Sequence, residues 1–210
     1  MTRKRSLIRR VTAVTAAATA ALVLAACGGN GNGNDSGSAH NGHNTASPSA
    51  SAPAQQGDHN AADTAFAQGM IPHHRQAIEM ADLATTRAES AEVKKLADEI
   101  KKAQDPEIET LSGWLTSWGE KVPAEDAGHG GHDMSGMMTA EEMKQLEASS
   151  DKAFDTAFLT MMVKHHEGAV AMAKTEQADG TYQPAKDMAQ AIITSQSAEI
   201  ARMNTLLGKS

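Results

Sequence analysis

Cysteine is nearly absent from this sequence, in which Cys27 is the only one. Intrachain disulfides are therefore excluded. A nucleophile-elbow motif is also missing, so nothing favours a hydrolase that works through a serine or cysteine nucleophile. A lone cysteine needs its own explanation, which its position near the start of the chain provides.

Aromatic residues make up only 3% of the chain, and no run alternates Val, Ile or Thr with polar residues. A β-sheet is therefore not predicted. From about Ala61 the sequence consists mainly of Ala, Met, Leu, Glu, Lys and Gln, which are strong helix formers. The remaining part of the chain is long enough for one domain, so we predict a single all-α domain over residues 61–208.

Apolar runs long enough for a stable transmembrane helix are missing as well. The longest run follows a basic start and ends in the sequence LAAC at residues 24–27. A basic segment, a short apolar segment and small residues before a break predict an export signal over residues 1–26. The LAAC sequence matches a bacterial lipobox, so Cys27 is the predicted lipidation site. The alternative is that Cys27 is a small buried thiol.

Positive charge is too scarce for binding to polyanions. The net charge is −7, and removal of residues 1–26 would change it to −12. This sign argues against nucleic acid and against electrostatic adhesion to an anionic membrane. The predicted attachment to the outer face of the cell membrane is therefore a lipid.

Large apolar side chains are almost absent from residues 27–60, which are rich in Gly, Asn, Ser, Ala and Pro. Such a segment cannot offset the entropy cost of ordering, so we predict a disordered, flexible linker. His40, His43 and His59 lie in it. They could hold a metal loosely, but a solvated spacer is the simpler interpretation.

The predicted domain contains an internal repeat with an offset of 92 residues. Residues 63–115 and 155–207 align without a gap and share 17 identities in 53 positions. Each copy predicts a helical hairpin, and the copies are joined by a long link over residues 120–138. Two repeated hairpins with one long connection predict a four-helix bundle.

Turn and capping residues mark the expected helix ends. In the first copy we predict helices over about 61–86 and from Ser90 to about 119. A capping box at Thr139 starts a helical stretch that reaches about residue 178, with a break near residues 149–150. A last helix ends near residue 207.

Both copies carry the sequence Met-x-x-His-His inside an amphipathic helix. In the first copy, spacings of 4, 3, 4 and 3 residues connect Phe66, Met70, His73, Ala77 and Met80. These spacings are typical of the inward face of a bundle helix. The same spacings recur at Phe158, Met162, His165, Ala169 and Met172. We therefore predict His73 and His165 on the core seam, with His74 and His166 beside it.

The second helix of each copy has polar residues within or beside its apolar face. These are Gln104 and Glu107 in the first copy, and Gln196 and Glu199 in the second. A buried carboxylate is costly unless it is paired, and a carboxylate beside a histidine can orient the ring. We hypothesise that each Gln-x-x-Glu faces a His-His pair of its own or of the opposite copy.

Two interpretations of the methionines and histidines compete. Met and Phe could fill the core while the histidines form a buried polar network. The recurrence of Met-x-x-His-His favours a metal site instead, and thioether and imidazole ligands favour copper. The Gly-rich link is either a solvated connection or a secondary copper site with His129, His132, Met134, Met137 and Met138.

The pattern Phe-x3-Met-x2-His-His-x2-Ala-x2-Met, the later Gln-x2-Glu-Ile and the closing Trp114-Leu115 resemble the domain of unknown function 305 family. The resemblance covers most of residues 61–208 and implies a ferritin-like four-helix bundle in an exported bacterial protein. Some members are periplasmic copper-binding proteins involved in copper tolerance. The ligands that the resemblance implies are Met70, His73, His74, Met80, Met162, His165, His166 and Met172.

One departure from the repeat is Asp105-Pro106, where the second copy has Ser197-Ala198. A proline inside a helix removes a backbone hydrogen bond and clashes with the preceding turn. We therefore expect the second helix to kink or to restart at this point, with Asp105 as its cap.

Two other functions stay open. A ferritin-like di-iron enzyme needs Glu-x-x-His on two helices, and the sequence contains no Glu-x-x-His. A structural bundle without metal could bind a protein partner, such as a copper exporter or an oxidase. We expect a copper-binding protein for copper tolerance, storage or delivery rather than an enzyme.

Overall fold

The computed structural model describes residues 58–125 and 136–209. Within these residues the chain is all-α, as predicted, and has no strand. The helices are α1 (Ala61–Arg87), α2 (Ala91–Trp118), α3 (Ala140–Ala148), α4 (Asp151–Asp179) and α5 (Gln183–Leu206). None of them is long and apolar enough to cross a membrane. The predicted export signal, Cys27, His40, His43, His129, His132 and Met134 lie outside the described residues.

Side-chain caps explain where several helices begin. The Asn60 side chain accepts hydrogen bonds from the first turn of α1, while the Asp63 carboxylate accepts one from the Asn60 N–H at 2.6 Å. Ser90 caps α2, and Thr139 forms the predicted capping box with Glu142 at the start of α3. Such caps satisfy backbone donors that have no partner inside the helix.

Pro106 does not interrupt α2, which is continuous from Ala91 to Trp118. The expected restart with Asp105 as a cap is therefore wrong. Asp105, Pro106 and Lys102 are exposed, so the Lys102 carbonyl that loses its partner faces water. The proline costs one hydrogen bond but leaves no buried group unsatisfied.

The helices α1 and α4 form the centre of the domain. Helix α1 packs against α2, α4 packs against α5, and α1 and α4 pack against each other. At one end Ala88 pairs with Asp151, and at the other end the Asp63 carboxylate accepts hydrogen bonds from the N–H groups of Thr181 and Tyr182. These contacts join the end of one helix to the start of the other, so α1 and α4 are antiparallel.

The apolar core consists of two separate halves. The first apolar half includes Met80, Leu96, Leu146, Phe158 and Met162. The second apolar half includes Phe66, Met70, Leu111, Ala173 and Ile192. Along each long helix, the residues of one half are separated from those of the other by buried polar residues. These polar residues therefore lie between the two halves.

Candidate metal centre

A buried polar layer crosses the core where the two apolar halves meet. Each long helix contributes to it, and its members are His73, His74, Gln104, His165, His166 and Gln196, none more than 3% exposed. Buried polar groups cost free energy unless they are hydrogen-bonded or bound to a ligand. Apolar packing alone therefore does not explain why these polar residues are buried.

His73 of α1 and His165 of α4 meet at the centre of this layer. Their ring centroids are 3.8 Å apart, with the ring planes inclined by 44°. Burial holds the pKa of His165 well below its ordinary value, and the neighbouring His73, His166 and His74 lower that pKa further. His165 is therefore neutral at neutral pH, which is the form of imidazole that binds metals.

A carboxylate orients each of the other two histidines. The Nε2 atom of His74 lies 2.7 Å from Oε2 of Glu107, and the Nε2 atom of His166 lies 2.6 Å from Oε2 of Glu199. Each glutamate comes from the helix that follows in the chain, so each contacts a histidine of its own copy. The glutamates are 23% and 21% exposed, whereas both rings are fully buried.

These contacts leave specific ring atoms without a partner. The Nδ1 atoms of His74 and His166 and both ring nitrogens of His165 are buried and have no hydrogen-bond partner among the described residues. In a neutral imidazole, an Nε2 atom that donates to a carboxylate carries the only ring proton, so Nδ1 of His74 and of His166 would keep a lone pair. Three histidines of the layer thus present nitrogens that could bind a ligand.

Methionines lie on both sides of the layer. Met70, Met80 and Met162 are fully buried, and Met172 is half-buried. Met80 and Met162 belong to the first apolar half, whereas Met70 belongs to the second and Met172 packs against it. Because α1 and α4 are antiparallel, each side of the layer has one predicted ligand from each helix.

The donors present fit a soft or borderline metal. Among the described residues, no group of three or more His, Cys, Asp or Glu side chains is placed to hold a metal ion. The donors of the layer and its flanks are imidazole nitrogens, amide oxygens and thioether sulfurs. Imidazole suits copper, and thioether sulfur favours Cu(I).

The chain matches a family model described as Domain of unknown function (DUF305) over residues 63–207. It belongs to the DUF305 family. Among solved structures, this DUF305 chain is similar to a Streptomyces coelicolor DUF305 protein described as secreted. The two share 34% identity with a TM-score of 0.64, over 70% of this chain and 93% of that one.

CopM is a second relative of this DUF305 chain with solved structures. The Cu(I)-bound form of CopM has 33% identity and a TM-score of 0.58, over 69% of this chain and 94% of CopM. The Cu(II)-bound form has 36% identity and a TM-score of 0.60 over the same shares. None of the curated proteins is similar enough to count as a match.

One polar residue beside the layer, Gln76, was missed by sequence reasoning. Its side-chain amide donates to the Met138 carbonyl at 2.8 Å and accepts from the Met138 N–H at 2.7 Å. Met138 is buried in the first apolar half, and Met137 is half-buried. The end of the link is thus held against α1, and Met138 is not a solvated residue as the solvated-link alternative supposed.

The sequence also predicts that His59 lies in a solvated spacer. Its ring stacks on Trp118 with a centroid distance of 4.4 Å and an interplanar angle of 5°. Trp118 also contacts Tyr182 edge-on at 5.3 Å. His59 therefore packs against the end of α2, away from the polar layer.

A second feature missed by sequence reasoning is a pair of buried carboxyl groups, Asp63 and Glu176, each at most 1% exposed. Burial acts to raise the pKa of Asp63, but donors at Asn60, Tyr182 and Thr181 hold it below its ordinary value. Burial and the adjacent Asp63 raise the pKa of Glu176 to about 8, against a weaker opposing effect of Lys186.

This carboxyl pair predicts a pH-dependent stability. Folded Glu176 keeps its proton up to about pH 8, whereas an unfolded glutamate loses it near its ordinary pKa of 4.5. Stability from this group is therefore fully present below pH 4.5 and is lost as the pH rises to 8. Glu176→Gln should remove this pH dependence, on the order of 5 kcal/mol at about 1.4 kcal/mol per pKa unit, in urea unfolding of the metal-free protein.

The exposed Glu167, on the same helix, provides a matched control. Glu167→Gln should leave the dependence of the unfolding free energy on pH as in the unsubstituted chain. An identical decrease between pH 5 and pH 8.5 in the Glu176→Gln protein would contradict the assignment.

Proposed function

We propose that this DUF305 chain is an exported, lipid-anchored protein that binds copper in the polar layer of a ferritin-like four-helix bundle. The observation that carries the proposal is the set of buried ring nitrogens without partners on His74, His165 and His166. Water does not reach these atoms, and a bound metal ion would offset the cost of burying them. Copper is the cargo of the protein, for tolerance, storage or delivery.

The ligands that we propose are the four histidines and the four methionines of the repeated motif. Nδ1 of His74 and of His166 would face the metal, because Nε2 of each ring is held by a glutamate. Met80 with Met162, and Met70 with Met172, would supply sulfur from the two sides of the layer. This set mixes borderline nitrogen with soft sulfur and can serve both oxidation states of copper.

The relatives support copper as the metal. CopM has been solved with Cu(I) and with Cu(II), and this chain spans 94% of it. A di-iron enzyme is less well supported, because Glu107 and Glu199 are already paired with histidine Nε2 atoms. A di-iron site would need further carboxylates in the layer.

The location that we propose is outside the cytoplasm. The Streptomyces coelicolor relative is described as secreted, which supports export of this chain. The proposed removal of residues 1–26 and lipidation of Cys27 rest on the sequence alone. Residues 28–57 would then connect the lipid to the bundle. Mass measurement of the mature chain tests this step, since lipidation adds the mass of acyl chains to a polypeptide that begins at Cys27.

Elemental analysis tests the proposed function directly. The full-length protein, purified from cells grown with added copper, should contain at least one copper atom per chain and little iron or zinc. Iron with iron-dependent oxygen consumption would favour the enzyme alternative. A chain that takes up no metal from cells or from copper titration would leave only the structural or partner-binding alternative.

Glu107 and Glu199 should contribute to affinity although they do not touch the metal. Glu107→Gln and Glu199→Gln together should weaken Cu(II) binding by about 10- to 100-fold, because the rings lose the partners that fix their tautomer and orientation. Competition with a chelator of known affinity measures the change. Glu109→Gln, at an exposed position of α2, is the control and should leave the affinity unchanged.

A further inference from the structure

The start of α1 and the α4–α5 turn (residues 180–182) are joined through one carboxylate, that of Asp63. It accepts hydrogen bonds from the N–H groups of Thr181 and Tyr182 at 3.1 and 3.0 Å, and from the Thr181 hydroxyl at 3.2 Å. It also accepts one from the Asn60 N–H, and the Asn60 side-chain amide donates to the Asp179 carbonyl at 2.8 Å. These hydrogen bonds hold the two segments together at one end of the domain.

The Glu176 carboxyl group lies against the same turn but has no such donors. Both of its oxygens are buried without a hydrogen-bond partner among the described residues. A Cβ atom at Gly180 would lie only 2.6 Å from Glu176 Cδ, so the turn passes directly over the carboxyl group. The charged groups that act on Glu176 are Asp63 of α1 and Lys186 of α5, and the Lys186 ammonium donates to the Gly180 carbonyl at 3.2 Å.

Only the protonated form of Glu176 fits this closed arrangement. An ionised Glu176 would be buried without donors beside a second carboxylate, and both burial and like charge oppose that state. In the closed arrangement these effects raise the pKa of Glu176 to about 8, whereas a Glu176 side chain in water would ionise near 4.5. Moving Glu176 into water at neutral pH therefore releases one proton.

We propose that Asp63, Glu176 and the α4–α5 turn form a pH-sensitive latch, which is closed while Glu176 carries its proton and opens locally as the pH rises. Opening breaks the hydrogen bonds from Thr181 and Tyr182 to Asp63. It also separates the Tyr182 ring from Trp114 and Trp118, which it contacts edge-on at 5.5 and 5.3 Å. The latch thus controls the end of the domain at which the chain enters α1.

Amide hydrogen exchange of the full-length, metal-free protein, followed residue by residue with NMR, tests the latch. The opening constant of the Thr181 and Tyr182 amides should rise about 10-fold per pH unit between about pH 5 and pH 8, because opening releases one proton. At each pH it should exceed the opening constant of the slowest core amides, since those exchange only through global unfolding.

Glu176→Gln keeps the size of the side chain but cannot ionise. In this variant the opening constant of the Thr181 and Tyr182 amides should not depend on pH. Glu167→Gln, at an exposed position of the same helix, is the matched control and should keep the full dependence.

Tryptophan fluorescence is a second measurement that needs no variant. Trp114 and Trp118 are the only tryptophans of the chain, and both contact Tyr182. The emission of the folded protein should therefore change with a midpoint at or below about pH 8, while circular dichroism shows that the helices remain.

Two results would overturn the latch. If the Thr181 and Tyr182 amides opened no more often than the slowest core amides, the carboxyl pair would affect global stability alone. If their opening constant did not change with pH in the unsubstituted chain, Glu176 would not lose a proton on opening. Neither result would affect the proposed copper function, because no residue of the latch is a proposed metal ligand.

Discussion

Replacing all four histidines of the polar layer by alanine should abolish nearly all Cu(II) binding, with an affinity loss of at least about 100-fold. The reason is that Cu(II) needs nitrogen or oxygen ligands, whereas the flanking methionines offer only thioether sulfur. Cu(I) uptake should fall only in part, because the thioethers remain. Equilibrium dialysis with elemental analysis measures both, and circular dichroism checks that the variant stays helical.

Histidines outside the layer provide the controls for this experiment. A triple His40/His43/His59→Ala variant and a double His129/His132→Ala variant should keep the Cu(II) affinity of the unsubstituted chain. If these variants lost Cu(II) while the layer variant kept it, the binding site would lie in the linker or in the link. The layer would then be a structural polar network.

Replacing His165 by Leu should make the metal-free protein more stable by about 1–2 kcal/mol and should also weaken copper binding. Both ring nitrogens of His165 are buried without hydrogen-bond partners, and such groups cost about 1–3 kcal/mol. Leucine is similar in size and removes this cost, so the apolar halves would become continuous. Urea unfolding of the metal-free protein measures the gain in unfolding free energy.

Phe158→Leu is the control, because it introduces leucine at a purely apolar position of the core and its effect on stability can be compared with that of His165→Leu. Phe158 is fully buried and stacks on Phe154 with centroids 5.8 Å apart, so this change should cost stability by about 1 kcal/mol or more. A loss of similar size for His165→Leu would mean that the histidine stabilises the fold. The polar layer would then stabilise the fold and would not be explained by ligand binding.

These two expected results have one physical basis. A buried polar layer with too few hydrogen bonds lowers the stability of a core. The same layer keeps imidazole nitrogens away from water, where a metal ion could bind them. The Glu107–His74 and Glu199–His166 pairs fit the same purpose, because they fix ring orientation from the partly exposed rim.

Sequence by itself determined the helices and the inward direction of the histidines. The spacing of Phe66, Met70 and His73 is enough to place His73 on the buried face, because helical periodicity depends on local geometry alone. The same holds for the caps at Ser90 and Thr139, whose partners lie within three residues. Interactions this local follow from neighbours along the chain.

Tertiary structure decided the relations between distant segments. It paired Glu107 with His74 of its own copy, since α1 and α2 pack together, and it put Pro106 on an exposed face where the helix continues. It also brought Met138 into the core and Glu176 beside Asp63. Each of these depends on which surfaces meet when α1 and α4 pack antiparallel, and side-chain periodicity along one helix does not contain that information.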